Sequence, residues 1–218
     1  MNDTKSERSA MSRSLGRALL GAVVGAVGTA LLLALVGERY IDLDDGAAML
    51  TLAVGAIYAL IGLAVGVGAI APGAGARFLN VEDADEVRED RPRIALGALS
   101  CLLVGLFLLT LVLSGGSGSL LSAQAALVIA SFCVLGLVAI ALRLRGGGDE
   151  MSQQVGREAS SLAMSVTTLV FGGWAGLWHL GYAGPIQPLV LVSGFAAIQL
   201  LASFWAIGRK GLMAPRFR

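Results

Sequence analysis

Charge is what this chain has least of. Asp, Glu, Lys and Arg supply 14% of its 218 residues, where a soluble domain carries about 25%. The formal net charge is +1, so no basic field gathers nucleic acid, and no nucleic-acid partner is expected. Cysteine is nearly absent. Cys101 and Cys133 cannot build a disulfide framework, and neither sits in a C-x-x-C or Cys/His group spaced for zinc. His179 is the only histidine, which leaves a metal or a catalytic base without the partners that would define a site. No metal and no cofactor is expected. Lysine is scarcer than arginine, two against fourteen. With the abundance of Ala, Gly, Leu and Val, that usage points to a GC-rich bacterial genome.

What the chain does have is apolar surface: 56% of residues are hydrophobic and the mean hydropathy is +0.79. A soluble core of this size cannot hide so much, so lipid is the expected solvent. A membrane-spanning helix needs about 20 mostly apolar residues. Six stretches qualify, at residues 15–36, 47–71, 94–113, 120–142, 160–180 and 188–208. The expected fold is all-α, a polytopic bundle of six transmembrane helices forming one domain. It has an N-terminal segment at 1–14, a hydrophilic elbow at 72–93 and a tail at 209–218. All sixteen Lys and Arg except Arg39 fall on the elbow side of these stretches, which by the positive-inside rule puts both termini in the cytoplasm of a plasma (inner) membrane. The first stretch lacks a small-residue cleavage site and is expected to remain as an anchor.

In lipid, helices associate through small residues and sparse hydrogen bonds. At about 100° per residue, the second stretch aligns Ala48, Thr51, Gly55, Ala59, Gly62, Gly66 and Ala69. The first aligns Ala18, Gly21, Gly25 and Gly28, and the sixth aligns Ala196, Gln199, Ser203 and Ala206. The fifth aligns Ser161, Ser165, Thr168, Gly172, Gly176, His179 and Ala183 within roughly 80° of arc. Trp174, Trp178 and Tyr182 form a separate stripe suited to an outer interfacial belt, with Trp205 in that role on the inner side. These stripes predict a compact bundle, with Gly176 and His179 packed on the start of the sixth stretch.

Two groups of residues are the candidate sites. One is a polar seam of helices five and six, Ser165, Thr168, His179, Gln199 and Ser203. The other is the acidic elbow, in which Glu82, Asp83, Asp85, Glu86 and Arg88 offer a docking surface for a partner. Tyr58, Thr110 and Gln124 are lesser polar points. Asp44 or Asp45 suits the cap of the second helix, and Cys101 and Cys133 sit at similar depth on consecutive helices. No acid, lysine or arginine lies mid-membrane, where charge-coupled pumps place one. A nucleophile pairing Ser117 with His179 is set aside, because Ser117 lies in the Gly/Ser linker 114–119 and there is no second histidine. Nor do the halves form an inverted repeat of the transporter kind. The expected function is therefore non-enzymatic: a small integral-membrane accessory, scaffold or assembly subunit. Its expected partners are the lipid bilayer and other membrane proteins, or further copies of itself. The alternative is a solute or ion facilitator with its path along the polar seam.

Overall fold

The computed structural model describes residues 28, 30, 44–71, 90–114, 119–144 and 150–210. The first apolar stretch therefore lies outside the described residues except for Gly28 and Ala30, both helical. So do Ser117, the tail from 211, and the elbow's Glu82, Asp83, Asp85, Glu86 and Arg88. Every described element is helical. α1 is Gly46–Ile70, α2 is Arg91–Leu113, and α3 is Ala123–Leu144. α4 is a continuous helix, Glu150–His179, with a π turn at Thr168–Gly172, and α5 is Pro188–Arg209. All five are long and apolar enough to cross a membrane.

The ends of these helices follow from local chemistry. The Asp45 carboxylate accepts from the Ala47 amide at 2.9 Å, capping α1 as its sequence position foretold. The Ser122 hydroxyl accepts from the Ala125 amide at 3.2 Å and starts α3. Pro92 and Pro188 occupy the first turns of α2 and α5, where a missing N–H costs nothing. α4 stops at Gly181, which has φ +81. The Gly181 amide donates to the Trp178 carbonyl and the Tyr182 amide to the Leu177 carbonyl, the paired bonds that close a helix through a left-handed glycine. Successive helices alternate in direction. All the described Arg and Lys (Arg91, Arg93, Arg143, Arg157, Arg209 and Lys210) thus gather at one end, and Asp45 and His179 lie at the other.

The tightest contact joins α1 to α2. A Cβ on Gly62 would stand 2.8 Å from the Leu102 nitrogen and 2.9 Å from the Ala98 carbonyl oxygen. One on Gly105 would stand 2.8 Å from the Ala59 nitrogen and 2.9 Å from the Gly55 carbonyl oxygen. These obstacles are backbone and cannot swing aside. The glycines let the two main chains touch, which is how helices gain dispersion energy in a solvent as apolar as themselves. The α1 face so used carries Ala48, Thr51, Gly55, Gly62 and Ala69, all buried, together with half-buried Ala59 and Gly66. Gly28 adds the beginning of another contact, since a Cβ there would meet Leu60 Cδ1 at 2.9 Å.

The other helices attach around this pair. α5 is pegged to α1 by two hydroxyls. Tyr58 donates to the Ala196 carbonyl at 2.9 Å, and Thr51 shares its proton between its own Ala47 carbonyl at 2.7 Å and Leu189 at 3.3 Å. Val54, Tyr58 and Leu108 form the cluster beneath, with Cys101, Val192 and Leu200 against it. α3 packs on α2 through Leu103, Cys133 and Ile140, and Leu103 Cδ1 lies 2.9 Å from where a Cβ on Gly136 would be. α4 packs chiefly on α5. Among the described helices the lateral order is α3, α2, α1, α5, α4.

Gly105→Ala is expected to lower stability by about 1–3 kcal/mol, because it drives a methyl into backbone. Gly97→Ala on the same helix meets nothing within 4 Å and is expected to be neutral or slightly stabilising. Thermal unfolding in one detergent checks the pair, and equal effects of the two would contradict the backbone contact. Tyr58→Phe is expected to cost about 0.6 kcal/mol, an average interhelical hydrogen bond in a membrane, by the same measurement.

Candidate functional site

α4 differs from the other four helices. At 30 residues it is about 45 Å long, more than a hydrocarbon core of about 30 Å needs. Its first ten residues, from Glu150 to Ala159, extend the helix before the predicted start at 160 and carry polar Ser152, Gln153, Gln154 and Arg157. In the apolar remainder only 6% of the spanning window is buried. The fully buried residues of α4 are Ala159 and Ala163, on the inner half that lies along α5, and half-buried Phe171 has its ring tip 2.7 Å from where a Cβ on Gly194 of α5 would be.

The π turn explains this choice of face. A wider i→i+5 turn advances around the axis less per residue than an α turn. Phe171 is thereby brought back in line with Ala163 instead of drifting off the α5 side. Just before the turn, the Thr167 hydroxyl is buried with no hydrogen-bond partner among the described residues. The same turn breaks the arc drawn for Ser161 to Ala183 at a uniform 100° per residue, so the predicted seam of the fifth stretch does not run through.

The proposed seam residues separate accordingly. Ser165 is exposed and donates to its own Ser161 carbonyl at 2.9 Å. Thr168 is exposed within the π turn. His179 is exposed at the end of α4, without a partner among the described residues. On α5, Ser203 donates to the Gln199 carbonyl at 2.8 Å. The Gln199 carboxamide is half-buried and likewise without a partner among the described residues. The structure brings Gln199 and Ser203 together as neighbours on one helix, and it leaves His179 apart from both. Among the described residues Gly172, Gly173 and Gly176 meet nothing within 4 Å, so the expectation that Gly176 lies against the start of α5 is corrected.

The outer aromatics take two roles. Trp174 Nε1 donates to the Gly184 carbonyl at 3.0 Å, holding the 180–187 connection against the helix. Trp178 and Tyr182 are exposed, Tyr182 by 83%, as an interfacial belt requires. Three features escaped the sequence reading. The Thr51 and Tyr58 pegs were visible only as polar residues on an apolar helix. The Phe171–Gly194 contact had no signal apart from the pair Gly172-Gly173. Cys101 and Cys133 are separated by α2 itself, Cys101 in the cluster with Tyr58 and Cys133 in that with Leu103.

No family model, no curated protein and no solved structure matches the chain. Its class therefore comes from the fold: the described residues are all-helical, with the five long apolar helices of a multi-pass membrane protein and one flanking helix whose outer half is largely bare among them.

Gly176→Leu and His179→Leu are each expected to change the stability of the detergent-solubilised chain by less than about 0.5 kcal/mol, the range for surface sites. Thermal unfolding that shows a loss above about 1 kcal/mol for Gly176→Leu would mean that its face is covered within the chain.

Proposed function

We propose that the chain is a non-enzymatic accessory or assembly subunit of a membrane complex, and that the outer half of α4 receives a helix of another membrane protein. One observation carries this reading. From Thr168 to His179 every residue except Phe171 is exposed, and the segment includes three glycines that meet nothing within 4 Å among the described residues. Glycines on a membrane helix weaken it relative to alanine and confer close approach only where another helix fills the gap. The α1–α2 pair of this same chain illustrates the use, with glycines where main chains touch. The half-buried Gln199 carboxamide, a costly group in hydrocarbon without a partner, supports the same reading.

Sidedness completes the proposal. The end that gathers Arg91, Arg93, Arg143, Arg157, Arg209 and Lys210 is assigned to the cytoplasm of the plasma (inner) membrane, with residues 15–36 as a sixth span and both termini inside. The acidic elbow then lies on the cytoplasmic side as a second docking surface. A solute path draws less support, because Ser165 and Ser203 each donate within their own helix and the π turn separates His179 from them.

Pull-down of the tagged full chain from native membranes in mild detergent tests the docking face. A stoichiometric membrane partner is expected with the parent and with Gly97→Leu, and is expected to be lost with Gly176→Leu. Recovery of the same monomer in all three cases would refute the reading. For sidedness, single cysteines at Leu120 and Ala183 are expected to react with a charged maleimide added outside intact cells. Those at Glu150 and Gly156 are expected to react only after permeabilisation, and the reverse pattern would invert the topology.

A further inference from the structure

At the basic end, an open groove of about 470 Å³ lies along the junction of α4 and α5. Arg157, Ser161 and Leu162 line it from α4, and Trp205, Ala206 and Arg209 from α5. The acid in its wall is Glu158, whose carboxylate accepts from Lys210 Nζ at 3.1 Å and from Gln154 Nε2 at 3.0 Å. Lys210 thus neutralises Glu158, and the two arginines remain as net positive charge. Neither guanidinium pairs with a carboxylate among the described residues. Arg157 Nε donates to the Gln153 carbonyl at 3.4 Å, which leaves its terminal nitrogens to a ligand.

The wall is also graded along the helices. Leu162 and Trp205 lie about 6–8 Å further from the helix ends than the two arginines, by helical rise. Trp205 is 66% exposed, with its indole open to whatever fills the groove. Arginine forks match phosphate oxygens. A free phosphate would engage only the rim and leave the leucine and indole bare, whereas a phospholipid uses both parts. Basic pockets between membrane helices on the cytoplasmic side suit anionic headgroups. We propose that this groove binds one anionic phospholipid, with its phosphate between Arg157 and Arg209 and an acyl chain along Leu162 and Trp205. The inference rests on the helices spanning a bilayer and is independent of any partner on the outer half of α4.

Native mass spectrometry of the full chain tests it, with phosphatidylglycerol and phosphatidylcholine of the same acyl chains offered separately in detergent. One phosphatidylglycerol per chain is expected to survive washing that removes phosphatidylcholine. The double variant Arg157→Gln/Arg209→Gln is expected to lower that retention about tenfold or more, and Arg143→Gln, at the same end on α3, to leave it unchanged. Ser161→Asp, which adds an acid to the groove and keeps both arginines, is expected to act like the double variant and decides the matter if the latter fails to fold. Inorganic phosphate alone is expected not to raise the melting temperature that phosphatidylglycerol raises. Equal retention of both lipids, an equal loss with Arg143→Gln, full retention in Ser161→Asp, or stabilisation by phosphate equal to that by the lipid would each overturn the proposal.

Discussion

The fold depends on one place where two main chains touch. Lipid tails are as apolar as leucine, so burying leucine between helices gains little over leaving it in the bilayer. What gains is proximity, and Gly62 and Gly105 supply it from opposite helices, each with room for a hydrogen but not a methyl. The other helices attach around that pair by different means. α5 has two hydroxyl pegs and an apolar cluster on α1 and α2. α3 has the fit of Leu103 over Gly136. α4 has two buried alanines, one ring over Gly194, and the Glu158–Lys210 ion pair at its basic end, a partly exposed pair of the kind that contributes little.

Packing along α4 is uneven, and that links packing to use: its inner half lies along α5, whereas among the described residues its outer half has little beyond the Phe171 ring. A helix held on one side by a few small contacts is the element that can accept a second neighbour without disturbing the first. At the basic end, where the inner half of α4 lies along α5, a shallow groove runs past Arg157 and Arg209. The two proposed surfaces fall on the two halves of α4, the glycine-bearing outer half that touches little and the inner half beside α5.

Much of this architecture was legible in the sequence wherever the helical period runs unbroken. The α1 stripe from Ala48 to Ala69 is the face that packs, because no turn in Gly46–Ile70 departs from 3.6 residues. The Asp45 cap was legible because a carboxylate before an apolar run has few other uses. Five of the six apolar stretches became spanning-length helices; residues 15–36, apart from Gly28 and Ala30, and residues 72–89 of the elbow lie outside the described residues. The α4 seam was not legible. A single π turn shifts every later residue around the axis, and nothing in Thr168–Gly172 announces one. Nor could period alone tell that Cys101 and Cys133 take opposite sides of α2, since that depends on which neighbour each face receives.

Amide hydrogen exchange on the solubilised chain tests the central claim most directly, because local opening reports how strongly each element is held. The slowest exchange is expected around Gly55–Gly62 and Leu102–Leu108, with intermediate rates in α3 and α5. The fastest exchange of any span is predicted in Thr168–His179. Exchange in that segment as slow as at Gly62 would contradict the account, because α4 would then be an integral part of the core rather than a flanking helix.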